Sequence, residues 1–170
     1  MAGKLPIGLQ DFAGLRRDGY IYVDKTEYIY QLVHEGKQYF LSRPRRFGKS
    51  LLLSTMKAYW KGKKELFAGL GIEKLEKENP DAWKPYPVFY FDFNGVNYHE
   101  KGSLERAIDF QLKEWEAEYS SENDDNTLAE RFQKVMKKAH AQTGHRCVIL
   151  VDEYDKPLLD VIEKEELQEH

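Results

Sequence analysis

The stretch that most constrains the fold is residues 39–53, where a short apolar run leads into an arginine-rich turn and then into a helical pattern. Gly48, Lys49 and Ser50 stand where that helix is predicted to begin. A loop that leads into a helix N-terminus directs backbone N–H groups at one point, and Lys49 adds a positive charge there. The Ser50 hydroxyl is a suitable ligand for Mg²⁺. The stretch therefore predicts a phosphate-binding loop, and a nucleoside triphosphate is the ligand that suits it best.

This loop departs from the usual consensus at one position. The pattern G-x-x-x-x-G-K-[ST] has a glycine five residues before Gly48, and this chain has Arg43 there. An arginine restricts the first bend of the loop, because glycine alone moves freely between positive and negative φ. Gly-Lys-Ser is also short enough to arise by chance, so the interpretation needs a second motif.

Residues 146–155 supply that second motif, since a continuous apolar run there ends in carboxylates. Such a run is typical of a strand buried on both faces of a parallel sheet. Asp152 would follow the strand at its carboxyl end, where open α/β sheets bind ligands, and would hold Mg²⁺ opposite Ser50. Glu153 would polarise an attacking water, as in a Walker B motif with a catalytic glutamate. The alternative is that both carboxylates only end a strand and cap the next helix.

Four segments make the chain resemble the bacterial AAA-ATPase-like domain over almost its whole length. They are residues 5–12, 22–26, 43–50 and 151–157. In that family Arg-Pro-Arg-Arg-Phe-Gly-Lys-Ser is the usual loop, so the resemblance implies that Arg43 belongs there. It also implies ATP and Mg²⁺ as cofactors. Family members often carry a nuclease-like domain of the PD-(D/E)xK type after the ATPase domain, and these 170 residues contain no such segment.

The two motifs and the resemblance together give a set of predicted site residues. The arginines of the loop have three possible roles: to bind the triphosphate, to contact a nucleic-acid backbone, or to form a solvated basic turn. Asn94, after a predicted strand, could hydrogen-bond Glu153 and hold it inactive, or simply form an Asn-Gly turn. The predicted catalytic residues are Glu153 and Lys49, the nucleotide-binding residues Arg45, Arg46, Phe47, Gly48, Lys49, Ser50 and Leu51, and the metal ligands Ser50 and Asp152.

The order of predicted elements indicates an α/β fold with a mostly parallel sheet, a P-loop NTPase three-layer sandwich. Strands are predicted at residues 38–42, 88–93 and 146–152, and helices at residues 24–36, 50–60, 104–119 and 127–144. Residues 5–22 are expected to form an irregular arm, and residues 61–87 a loop with at most a short helix. We expect one domain overall, with residues 1–36 as an arm and first helix packed on a partial NTPase core formed by residues 37–170.

The family comparison also predicts that a strand is lacking. In related ATPases a later strand inserts between the phosphate-loop strand and the Walker B strand, and it carries a polar sensor residue. This chain continues for about one helix beyond Walker B, so we expect a fragment or a truncated form without sensor or arginine finger. Exposed strand edges invite pairing with another chain. We therefore expect a marginal monomer that self-associates and has weak ATPase activity in isolation.

Composition and charge limit the possible partners of the chain and its cellular location. The net charge is −3 and the isoelectric point is about 6.0, so no global basic field favours nucleic acid or an anionic membrane. The single Cys147 excludes an internal disulfide and indicates a reducing compartment. No run approaches the roughly 18 apolar residues of a membrane span, and the first residues lack a signal-peptide core. A cytoplasmic location is predicted.

The leading functional prediction is ATP binding and Mg²⁺-dependent ATP hydrolysis. One alternative is a nucleotide-operated switch or interaction module that binds with little turnover. A second alternative is the ATPase component of a nucleic-acid-processing protein, and it rests only on the nuclease-like domains that accompany the family.

Overall fold

The computed structural model describes residues 4–42, 47–98, 100–122 and 127–157. The chain divides into two compact units, Met1–Tyr86 and Pro87–His170. The described elements, in chain order, are α1 Phe12–Arg17, α2 Thr26–Glu35, α3 Lys49–Trp60, a 3-10 helix Lys64–Phe67, α4 Gly71–Leu75, β1 Val88–Asp92, α5 Ser103–Glu118, α6 Leu128–Thr143 and β2 Val148–Asp152. The protein is thus mixed α/β with a small parallel sheet of two strands.

The first unit is helical in its described part, and its helices surround one aromatic core. The Phe12 ring lies 4.9 Å from the Phe67 ring and 5.1 Å from the Tyr22 ring, measured between centroids. Phe12 begins α1, because the Asp11 carboxylate accepts a hydrogen bond from Gly14 N at 2.7 Å and so caps the helix. The irregular arm predicted for residues 5–22 therefore contains a short helix.

One predicted strand is wrong, since residues 38–42 form no strand in the structure. Their aromatic side chains are largely exposed, as shown by Phe40 at 73%. An apolar run becomes a strand only where a neighbouring strand takes its backbone hydrogen bonds, and sequence does not show that neighbour.

A buried carboxylate lies in the first unit. Glu76, at the end of α4, is 2% exposed and accepts hydrogen bonds from Tyr59 Oη at 2.6 Å and Asn79 Nδ2 at 2.6 Å. His34 Nε2 lies 2.9 Å from the same carboxylate. Burial acts to raise the pKa of Glu76, but these hydrogen bonds together outweigh it and hold that pKa below its ordinary value of 4.5.

This carboxylate predicts a pH dependence of stability. Because the folded pKa of Glu76 is lowered, its contribution is fully present above about pH 4.5 and is lost as pH falls through the folded pKa. Glu76→Gln should cost about 1–3 kcal/mol of unfolding free energy at pH 7, since one buried donor loses its acceptor. It should also flatten the acid side of the stability curve. Urea unfolding between pH 3 and pH 7 measures both effects, with the exposed Glu78→Gln as control. Equal acid sensitivity of the two variants would contradict the assignment.

In the second unit, β1 and β2 pair in parallel with Phe89 opposite Ile149 and Asp92 opposite Asp152. Helices α5 and α6 pack on this sheet through Phe89, whose ring contacts Trp115 at 5.1 Å between centroids. Helix α6 begins with a capping box: Thr127 Oγ1 accepts from Glu130 N, and the Glu130 carboxylate accepts from Thr127 N.

The expectation that the Walker B strand is buried on both faces is wrong in part. Along β2, Leu150 and Asp152 are buried, whereas Ile149 is 47% and Val151 40% exposed. Period-two alternation of this kind is what a strand shows when one face is only partly covered. The apolar composition alone could not separate the two cases.

A buried ion pair joins α5 and α6. Arg131 is buried and donates to both carboxylate oxygens of Glu116, at 2.8 and 2.9 Å, and to Asp109 at 2.5 Å. Glu116 is buried as well. A bidentate pair fixes both the spacing and the rotation of two helices.

Candidate functional site

The predicted phosphate loop lies where α3 begins. Gly48 has φ +77° and immediately precedes the helix, whose first intrahelical bond is donated by Leu52 N to Gly48 O at 3.0 Å. A left-handed φ favours glycine over any other residue. The backbone conformation therefore explains a glycine at position 48 independently of the consensus motif. The N–H groups of Ser50 and Leu51 precede that first bond and have no acceptor within the helix.

The residues around this helix start fit a phosphate group. Lys49 brings a positive charge to the first turn, and the first turn of α3 has no acidic residue to oppose an anion. The twelve-residue length of α3 gives its N-terminus a positive partial charge. Phe47, just before the turn, is exposed. The predicted ligands Arg45 and Arg46 lie outside the described residues, so their role stays a prediction.

The carboxylate of the predicted Walker B motif lies at the end of a strand. Asp152 is the last residue of β2 and is only 4% exposed. Its Oδ2 accepts a hydrogen bond from Tyr90 Oη at 3.1 Å, and its Oδ1 accepts from Glu153 N at 3.0 Å. A carboxylate has about four lone-pair sites, so two such bonds leave capacity for a metal-bound water or a metal ion. Asp152 therefore fits the role of metal ligand.

Glu153 follows in an uncommon backbone conformation. Its φ is +52°, in the left-handed region that non-glycine residues rarely adopt. This bend ends the strand direction at Asp152 and is closed by a bond from Lys156 N to Glu153 O at 3.1 Å. Conformations of this kind cost of order 1 kcal/mol or more and occur more often at functional sites than elsewhere.

Asn94 has a different partner from the one proposed from sequence. Its Oδ1 accepts from Gly95 N at 3.0 Å and from Lys156 Nζ at 3.2 Å. No bond between Asn94 and Glu153 appears among the contacts of the described residues. The contact with Lys156, three residues after Glu153, links the end of β1 to the segment that follows β2.

Tyr90 is the residue of this site that sequence analysis missed. It lies opposite Leu150 in the parallel pair, two residues before the register position of Asp152, and therefore on the same face of the sheet. Alternation along the strand predicts which residues of β1 share a face. The contact with Asp152 also depends on the register between the two strands. The sequence of either strand alone does not predict that register.

The structure thus describes the predicted residues as two groups. Phe47 to Leu51 are consecutive in the first unit, and Asp152 and Glu153 are consecutive in the second. A cavity of about 490 Å³ in the second unit opens beyond β1, and its lining includes Asp92, Asn94 and Arg106. Neither Asp152 nor Glu153 lines this cavity, so the candidate site rests on side-chain chemistry and not on the cavity.

The Walker motifs of ATPases combine a Gly-Lys-Ser sequence at a helix start with carboxylates at the end of a strand. The sequence profile of the family described as "Predicted AAA-ATPase" matches residues 6–170, and the chain belongs to this AAA-ATPase-like family. A curated relative, described as "Uncharacterized protein in vnfD 5'region" from Azotobacter chroococcum mcd 1, is 41% identical over 168 residues. The match covers 96% of this chain and 31% of that relative. No solved structure matches.

The described part of the chain has no helix that is both long and apolar enough to cross a lipid bilayer. It also contains no group of three or more His, Cys, Asp or Glu side chains placed to hold a metal ion.

Proposed function

We propose that this chain binds ATP with Mg²⁺ and hydrolyses the β–γ bond by attack of water. The observation that carries the proposal is the start of α3, where a glycine at positive φ is followed by Lys49 and Ser50 on a twelve-residue helix. Membership of a family described as predicted AAA-ATPases supports the same reading. ATP, Mg²⁺ and hydrolysis itself are parts of the proposal.

Each predicted residue has a defined part in it. Lys49 and the N–H groups of residues 48–51 bind the phosphates, with Arg45 and Arg46 as further phosphate contacts. The Ser50 hydroxyl and the Asp152 carboxylate hold Mg²⁺, which when bound screens the charge of the β- and γ-phosphates.

Glu153 acts as the general base. It orients a water molecule toward the γ-phosphate and accepts a proton from that water. Because the backbone at Glu153 turns sharply after the strand, its side chain leaves the strand end in a direction that regular alternation would not give it.

The decisive test of nucleotide binding is Lys49→Ala. Isothermal titration calorimetry with ATP and MgCl₂ should show saturable binding to the wild-type chain and a loss of at least 100-fold in affinity for the variant. The reason is that a cation in direct contact with a polyphosphate contributes several charge-assisted interactions. Lys61→Ala is the matched control, since Lys61 is exposed just after the other end of the same helix. Equal affinity in wild type and Lys49→Ala would overturn the proposed function.

A further inference from the structure

We propose that Tyr90 is a positioning residue that sets the metal affinity of Asp152. This inference rests on the proposed function, because it assigns a supporting contact to the carboxylate that holds Mg²⁺ there. The observation is the hydrogen bond from Tyr90 Oη to Asp152 Oδ2 at 3.1 Å, made to a carboxylate that is only 4% exposed.

Geometry leaves Asp152 little freedom when both bonds are made. Oδ2 is fixed by the Tyr90 hydroxyl and Oδ1 by Glu153 N at 3.0 Å, so the plane of the carboxylate is set by one donor on each oxygen. One donor comes from β1 and the other from the residue after β2. These two bonds hold the carboxylate in one orientation, and a metal ligand that is already oriented binds without the cost of being ordered.

The Tyr90 hydroxyl is the donor in this bond, because an ionised carboxylate can only accept. Hydrogen bonds to a charged acceptor are stronger than those between neutral groups, so this bond favours one carboxylate orientation.

The same unit contains a tyrosine that makes a suitable control. Tyr98 Oη donates to the Phe93 carbonyl oxygen, also at 3.1 Å, and no contact between Tyr98 and Asp152 appears among the described residues. Tyr98→Phe and Tyr90→Phe each remove one hydroxyl and leave the ring in place. They differ in whether the lost bond is made to the predicted metal ligand.

The test is a titration of MgCl₂ into the 170-residue chain at a fixed concentration of ATP, followed by calorimetry and by the shift in thermal unfolding. Tyr90→Phe should raise the Mg²⁺ concentration at half-saturation by roughly 10-fold to 100-fold, the usual effect of losing a contact that orients a metal ligand. ATP binding without Mg²⁺ should stay at the wild-type value. Tyr98→Phe should leave the Mg²⁺ requirement unchanged.

A double-mutant cycle separates this role from a general loss of structure. In an Asp152→Asn background Tyr90→Phe should cause no further change in the Mg²⁺ requirement, because the residue acts through that carboxylate. An unchanged Mg²⁺ requirement in Tyr90→Phe would overturn the inference and leave the proposed function standing. An equal rise in the Tyr98→Phe chain would also overturn it. A wild-type chain without Mg²⁺-dependent ATP binding would overturn both.

Discussion

Replacement of Glu153 by glutamine is expected to lower the steady-state rate of ATP hydrolysis by at least 100-fold. Glutamine has nearly the same size and can still hydrogen-bond a water molecule, but it cannot accept that water's proton. General-base catalysis contributes about 10²–10⁴-fold to rates, so its removal should be the largest single effect on turnover. ATP affinity should change little, because Glu153 faces the water and not the phosphates in this mechanism.

The measurement is phosphate release at saturating ATP and Mg²⁺. Glu114→Gln is the matched control, since Glu114 is an exposed glutamate on α5 of the same unit. The result also separates the two leading functional classes. If the wild type and Glu153→Gln release phosphate at the same near-background rate while ATP still binds through Lys49, the chain is a nucleotide-operated switch and not a hydrolase.

The local parts of the fold were predictable because local signals specify them. The phosphate-loop helix was predicted at residues 50–60 and is observed as Lys49–Trp60. The α6 boundaries follow from a capping box at Thr127 and from Gly144, which ends the helix at φ +69°. Each of these signals involves residues no more than four positions apart. A single sequence therefore contains all the information that they need.

The contacts between distant residues were not predictable in the same way. Tyr90 meets Asp152 across 62 positions of the sequence, and Tyr59 meets Glu76 across 17. Glu116 is a charged residue, a type that is mostly exposed, yet it is buried where Arg131 of another helix pairs with it. Sequence periodicity predicts which face of one helix or strand is buried. Whether a charged residue is buried depends also on the neighbouring element that covers it and supplies its partner.

Arg131→Met is expected to reduce the unfolding free energy of the second unit by about 3–5 kcal/mol. The methionine fills much of the volume, but Glu116 is then left buried without its partner, and an uncompensated buried charge is strongly destabilising. Native-state hydrogen exchange measures this directly. Amides of α5 and α6 should lose protection by roughly a hundredfold or more, while those of α2 and α3 keep theirs.

Two further variants sharpen this test. Arg106→Met removes an arginine from the same unit whose 3.1 Å pair with Glu100 is largely exposed, and it should cost less than about 1 kcal/mol. The double variant Arg131→Met/Glu116→Met should recover most of the loss, because a buried ion pair can often be replaced by apolar side chains at little cost. The interpretation fails if Arg131→Met is no more disruptive than Arg106→Met.

At position 153 the backbone conformation favours a different type of residue from the glutamate that is present. Judged by conformation alone, residue 153 would be glycine or asparagine, the residues that tolerate φ +52° with least strain. A designer who optimised only the folding of this chain would not choose glutamate there. In the proposed mechanism Glu153 is the general base, so the need for a carboxylate at position 153 outweighs the conformational preference for a residue that lacks one.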